Sequence, residues 1–425
     1  MKGSSSNNNS IRRSWSCIRI VLPVFMFIIT AVFLVITFDL LNDSRGRYDN
    51  EEANKHVAVV NSKDITDSTD TETAKGKDLE GRDKIIPSKR LKVAYAVTIT
   101  KDSSFIDGAL VLGYAARKYH SASKGFPSLY DVDLVAFAAP PVVTSIPILE
   151  KYGWRVLKRP LPVQLDEIEN KDYVERMRNS GCCGADEFLK LWAYTLTEYH
   201  RVIHLDMDSI VFKNMDELYR IDKELLFTGD YNMKGGSKVV PVQGGFLVVK
   251  PSLDTFEEFR SIIRKGNHYA GSGWEGSHIG NFWGGQTIQG IMPFFYSVKH
   301  PDRAHELNRC VYNCMVDNPY WPNTVRCQDG KPTCQDCRLQ QPEMVSSAHF
   351  TICQKPWTCT KHTNPRNKDL CEVLHAKWFQ LRHEYEVELG IDLSYRAIDS
   401  EYTASQGMCK GFRDSDYIQI PLLPS

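Results

Sequence analysis

Two aspartates stand two residues apart in the segment HLDMDSIVF, at Asp206 and Asp208. In extended chain alternate side chains share a side, so these two point together while Met207 points away. Two hard oxygen donors placed that way can hold a divalent cation, which in turn can hold a diphosphate. The same spacing also suits a solvated acidic turn. A second segment, AHFTICQKPW, carries His349 six residues before Lys355, among strand-forming Phe350, Thr351 and Ile352. Imidazole added to two carboxylates suits Mn2+ better than Mg2+, and a lysine beside them would neutralise phosphate charge. Alone, that segment also reads as a core histidine and a surface lysine.

The elements around these residues must position them. HRVIHL is an apolar strand running straight into Asp206, and GADEFLKLWAYTLTEYH before it predicts a helix, with Leu189, Trp192 and Leu196 at helical spacing. Upstream, LKVAYAVTI and DVDLVAFA read as buried strands with the helix DGALVLGYAARKYH between them. IPILEKYG follows as a short helix and RVLKRP as a strand. Downstream, LLFTGDY and GGFLVVKP are strands, and LDTFEEFRSIIRKGNH is a helix. This alternation predicts an α/β fold with a largely parallel sheet, which binds ligands beyond the carboxyl ends of its strands. Neither GxGxxG after the first strand nor a Walker-type loop is present, so dinucleotide and P-loop chemistry lack their fingerprints. HYAGSGWEGSHIGNFWGG interleaves Trp274 and Trp283 with glycines. It suits a lid offering aromatic faces to sugar rings, or equally a surface loop anchored by two tryptophans.

Composition narrows the class. The chain has 425 residues, 52 basic against 52 acidic, so it lacks the basic excess that a nucleic-acid partner demands. Ile20 to Phe38 runs nineteen positions without a charge, which as a helix spans roughly 29 Å, one hydrocarbon core. Lys2, Arg12, Arg13 and Arg19 precede it, and Asp39, Asp43 and Asp49 follow. That asymmetry expects a type II membrane protein: a cytosolic arm at 1–19, a transmembrane anchor at 20–38, a flexible stalk at 39–90 and a lumenal domain at 91–425. The Golgi membrane is the expected location, with the endoplasmic reticulum as the alternative. Eight of twelve cysteines fall in the segment 310–371. In an oxidising lumen most should be bridged, and the odd number beyond the anchor leaves at least one free or paired between chains. Cys334 and Cys337 also have zinc-ligand spacing. Leu374, Trp378, Leu381 and Tyr385 mark a closing amphipathic helix.

Taken in order, VTITKDSSFIDGALVLG, FLKLWAYTLTEYHRVIHLDMD, VQGGFLVVKPS and HFTICQKPW resemble glycosyltransferase family 8, the glycogenin-like enzymes, over residues 92–360. The resemblance implies a GT-A fold, a Rossmann-like nucleotide-diphospho-sugar transferase domain. It also implies a UDP-sugar donor, a Mn2+ ion with Mg2+ as the alternative, and retaining transfer of a hexose-type sugar to a glycan or glycoprotein acceptor. It makes Asp206, Asp208 and His349 metal ligands, puts Lys355 on the diphosphate and turns Lys190 toward the donor. Ile99, Lys101, Asp102 and Phe105 fall where the family contacts uridine. The family's sugar-binding Asn-Ser-Gly stands here as Gln243-Gly244-Gly245, and its G-G-D-Q-G as GGQTIQG, with Gln286 and Gln289 but no aspartate. By the resemblance Asp208, Lys355 and Gln286 lie at the reacting centre, and Gln243, Gly244 and Gln289 at the donor sugar. No carboxylate stands out as a nucleophile, which favours same-face attack by the acceptor over a covalent intermediate. The missing aspartate leaves a second reading, a catalytically inactive lumenal binding protein of the same fold.

Overall fold

The computed structural model describes residues 90–422 apart from 104, 122–129, 180–183, 234–238 and 283, together with two short strands before them. Those strands, β1 (Thr73–Lys77) and β2 (Asp83–Pro87), pair antiparallel inside the stretch expected to be stalk. The expected cytosolic arm, the anchor and the rest of the stalk lie outside the described residues, as do Cys182, Cys183 and Trp283. No helix among the described residues is long and apolar enough to cross a membrane.

The chain then runs β3 (Leu91–Ile99), α1 (Phe105–Ser121), β4 (Tyr130–Ala138), α2 (Ser145–Lys151), β5 (Trp154–Lys158) and α3 (Lys171–Arg178). A 3₁₀ helix over Ala185–Thr195 leads into β6 (Arg201–Leu205) and β7 (Ser209–Val211). β8 (Leu225–Gly229), β9 (Val242–Val249), α4 (Leu253–Lys265), β10 (His268–Tyr269), β11 (Gly273–Trp274), α5 (Ile288–Phe294) and β12 (Ala304–Leu307) follow. The tail adds α6 (Arg309–Tyr312), β13 (Ser347–His349) and α7 (Lys368–Glu388).

Alternation in β3 explains the layers. Val93, Tyr95, Val97 and Ile99 enter one core together with residues of α1 and α7, while Ala94 and Ala96 enter another with residues of α3, α4 and α5. A strand buried on both faces needs the continuous apolar run seen here. The main sheet has the order β12-β8-β9-β6-β3-β4-β5. β6, β3, β4 and β5 are mutually parallel, β12 is parallel to β8, and β9 is antiparallel to both of its neighbours. The expected α/β fold with a largely parallel sheet is therefore present. Strand order reverses between β3 and β6, which opens a crevice at their carboxyl ends, and β6 ends one residue before Asp206.

One expected element differs. The helix foreseen through His200 is a 3₁₀ helix that stops at Thr195. Three residues per turn line up Phe188, Leu191 and Tyr194 in a single core, and they also set Glu187 directly beside Lys190. Packing, not helix propensity, selects the tighter winding.

The tail is stapled as its cysteines foretell. Cys310–Cys337, Cys327–Cys334, Cys353–Cys371 and Cys359–Cys409 are bridged, and Cys314 is a buried free thiol. Cys334 and Cys337 each have a disulfide partner, so neither can serve zinc. A buried polar knot ties the tail to α1: Asp107 accepts from Tyr417 Oη at 2.8 Å and from the Ile420 amide at 2.9 Å, and Arg382 Nε reaches Glu386 at 2.6 Å.

Peptide mapping of non-reduced protein should recover these four pairs, with Cys314 alkylated only after denaturation. Opening Cys359–Cys409 by a double serine variant should destabilise the tail by roughly 2–4 kcal/mol. A second expectation concerns Asp230, which is buried behind β8 and whose carboxyl is pushed up to about 6 by burial and by Asp317. A raised carboxyl pKa means the folded state holds the proton longer than the unfolded chain, so stability falls as pH climbs from about 4 through 6. Asp230→Asn should therefore be more stable than the parent at pH 8, by on the order of 2 kcal/mol, with the gap closing at pH 4 in denaturant titrations.

Candidate metal centre

β6 delivers Asp206 at its carboxyl end, and the Ser209 amide donates to the Asp206 carbonyl at 2.9 Å, closing a turn into β7. β7 pairs antiparallel with β13, which sets His349 opposite Ser209. The Phe350 amide donates to the Asp208 carbonyl at 2.8 Å. Backbone register thus seats the distant His349 against the two aspartates. Its Nε2 lies 3.2 Å from Asp208 Oδ1 and 3.9 Å from Asp206 Oδ2. One ligand atom from each of the three residues falls within 4.8 Å of the others.

β9 passes alongside as Gln243-Gly244-Gly245, and here glycine is needed for space. A Cβ on Gly245 would come within 2.4 Å of His349 Cε1 and 2.9 Å of Asp206 Oδ2. Gln243 Oε1 accepts from the Gly245 amide at 2.6 Å, holding that bend. Two carboxylates and an imidazole converging over a side-chain-free floor fit a divalent cation of intermediate hardness.

Two lysines bracket the carboxylates. Lys355 Nζ lies 3.2 Å from Asp208 Oδ2. Lys190, which is buried, lies 2.8 Å from both Asp206 Oδ1 and Glu187 Oε2 and donates to the Gly244 carbonyl at 3.1 Å. Burial alone would raise the Asp208 carboxyl, but His349 and Lys355 hold it well below the usual carboxylate range. Burial opposes charge on His349 as well, and Asp208 overcomes it and raises the imidazole. Lys190 is likewise raised by Asp206 and Glu187 against the cost of burial. Burial raises the Glu187 carboxyl, with Lys190 pulling the other way.

The nucleoside end assembles partly. Phe105 opens α1 and stands edge-on to Trp357 at 5.2 Å. Gly108 leaves room for the Trp357 ring, since a Cβ there would lie 2.6 Å from Trp357 Cη2. Ile99 is in the core with its carbonyl accepting from Ala139, and Lys101 is exposed. Asp102 accepts from the amides of Val143, Thr144 and Ser145 at 2.9–3.1 Å, so its carboxylate caps α2, and the Ser145 side chain together with these amides holds it well below the usual range.

Other residues separate. Gly244 lies near Ile288 at the start of α5, and Gln289 is buried with Oε1 unpartnered among the described residues. Gln286 turns elsewhere: its carbonyl accepts from Tyr173 Oη at 2.7 Å, and it lines a distinct cleft of about 640 Å³ with Asp172, Arg176, His268 and Phe282. GGQTIQG needs its glycines for close backbone contact, because a Cβ on Gly285 would meet the Gly280 carbonyl at 2.2 Å. Trp274 is fully buried, donates to the Gly285 carbonyl at 2.9 Å and packs on Tyr173. It is a core anchor and offers no face to a sugar. Glu187 escapes a reading of motifs, and so does the steric role of Gly245, whose triplet the resemblance had placed at the donor sugar. The spacing of Glu187 three residues before Lys190 is the signal that could have found the first.

No family model matches the chain. Inositol phosphorylceramide glucuronosyltransferase 1 of Arabidopsis thaliana is 29% identical over 185 residues, covering 43% of this chain and 29% of its own length. UDP-glucuronate:xylan alpha-glucuronosyltransferase 2 of the same plant is 23% identical over 68% of this chain and 40% of its own. Glycogenin-1 of Homo sapiens is 23% identical over 48% of this chain and 52% of its own. The chain thus spans about half or less of each of these relatives. They are glycosyltransferases, glycogenin among them, in line with the resemblance to family 8. Among solved structures, mouse xyloside xylosyltransferase 1 aligns with 61% of this chain and 98% of its own at a TM-score of 0.40 and 12% identity.

Gly245→Ala tests the crowding directly. The methyl must push His349 or Asp206 aside, so affinity for Mn2+ by isothermal titration should fall by about 10–100-fold while far-ultraviolet circular dichroism is unchanged.

Proposed function

We propose that the chain is a retaining glycosyltransferase of GT-A fold that moves a hexose-type sugar from a UDP-sugar to a glycan or glycoprotein acceptor. The observation that carries this reading is the convergence of Asp206, Asp208 and His349 between two lysines at the strand-order reversal of an α/β sheet. Asp206, Asp208 and His349 would hold the ion, Mn2+ by its mixed oxygen and nitrogen donors. When bound, such an ion stabilises the negative charge that grows on the diphosphate as the sugar bond breaks.

The chain's own residues do the rest. Lys355 is 26% exposed at its side chain, so its ammonium can turn from Asp208 to the departing diphosphate, where a fixed positive charge is worth most. Trp357 and Phe105 build the apolar wall beside it that suits a nucleoside base. Lys190 ties Asp206 to the Gly244 carbonyl, keeping the metal-binding carboxylate from swinging out. Placement in the Golgi membrane as a type II protein rests on the uncharged run Ile20–Phe38 with its flanking charges, and on a tail built with disulfides.

UDP release from candidate UDP-sugars by purified protein is the test. EDTA should abolish release and Mn2+ restore it, and Asp208→Ala should be inactive. Lys355→Ala should keep Mn2+ binding but slow release by on the order of 10²–10³. Asp254→Ala, at an exposed site in the first turn of α4, is the control and should match the parent. Asp216 would be a poorer control, because it is partly buried 3.4 Å from His120 Nδ1. UDP binding with no release from any donor would instead favour a binding protein.

A further inference from the structure

The metal-centre charges form a row: Lys355, Asp208, His349, Asp206, Lys190 and Glu187. Lys355 marks the diphosphate end of that row and carries Trp357 and Phe105 beyond it. The opposite end, where a sugar attached to that diphosphate must project, is built from Lys190, Glu187, Gly244 and Ile288. Its chemistry is lopsided. Among the described residues Lys190 is the cation there, and an ammonium has three N–H bonds. All three are engaged, by Asp206 Oδ1 at 2.8 Å, Glu187 Oε2 at 2.8 Å and the Gly244 carbonyl at 3.1 Å. None is left for a carboxylate on the substrate. Glu187 keeps 29% of its side chain exposed, and its Oε1 has no partner among the described residues. That oxygen can accept from a sugar hydroxyl but repels a second carboxylate.

We infer that Glu187 sets the charge class of the donor, admitting UDP-sugars with a neutral hexose and refusing those of a uronic acid. This rests on the reading that the centre binds a metal and a diphosphate. It separates the chain from its plant relatives, one of which is named for UDP-glucuronate. Like-charge juxtaposition at a binding surface is a strong means of rejecting a partner, and here the fixed Lys190 cannot screen it by turning.

The experiment compares matched donors that differ only at C6, UDP-glucose with UDP-glucuronate and UDP-galactose with UDP-galacturonate, by isothermal titration in Mn2+. UDP alone is titrated beside them, and its failure to bind would overturn the metal and diphosphate reading, a result distinct from loss of selectivity. With UDP bound, the parent should favour the neutral member of at least one pair by about tenfold or more. Each variant's donor affinities are taken relative to its own UDP affinity; on that scale Glu187→Gln should strengthen uronate binding until the ratio approaches one, whereas Glu187→Asp should preserve the preference. Equal binding of both members by the parent, or a ratio unmoved by Glu187→Gln, overturns the inference. The parent ratio decides even if Glu187→Gln fails to fold.

Discussion

Holding Asp206 and Asp208 side by side in a mostly buried pocket is the electrostatic demand on which the rest of the molecule depends. Two carboxylates out of bulk water repel each other and lose hydration, and only positive neighbours make that arrangement stable. Three parts of the chain supply them. The 3₁₀ helix brings Lys190, β13 brings His349, and the turn after it brings Lys355. Each arrives on an element whose position is fixed by backbone pairing or by packing into a core. The centre is therefore preorganised by the fold, with the part-exposed Lys355 side chain keeping room to turn.

Much of this was legible in the residues themselves. The continuous apolar run in LKVAYAVTI, and the one ending at Asp206, marked the strands that frame the crevice, because burial on both faces leaves a clear mark on composition. Asp206, Asp208, His349 and Lys355 could be named from their types and spacing and Lys190 from the family resemblance, and the structure brings all five together. What escaped is non-local. The pairing of β7 with β13 depends on three residues on each side and has no pattern of its own. The 3₁₀ winding of Ala185–Thr195 looks like an α-helix in any short window, since Leu189 and Trp192 satisfy both periods. The need for glycine at 245 appears only when His349 has been placed above it. Gln286, assigned by resemblance to the reacting centre, instead lines another cleft, and Cys359 finds its partner at Cys409, beyond the segment where bridging was expected.

The two faces of the main sheet differ in how they are secured. The core built on α3, α4 and α5 is held by aromatic packing, with Phe259 stacked on Phe295 and Trp274 enclosed by Tyr173, His268 and Phe294. The core built on α1 and α7 relies on covalent and ionic ties as well, with four disulfides in the tail and the Asp107–Arg382–Glu386 knot. The tail thus joins the core both by buried side chains of α7 and by cross-links that constrain its unfolded state.

Lys355 is carried on a short span whose two ends, Cys353 and Cys359, are each cross-linked to other parts of the tail. The sheet needs no oxidant to form, but the span that presents this lysine is held from both sides by bonds that only oxidation can make. Reduction would therefore act unevenly on the centre: Asp206 and Asp208 stay on their strand and turn, while the span that presents Lys355 loses the tie at each of its ends.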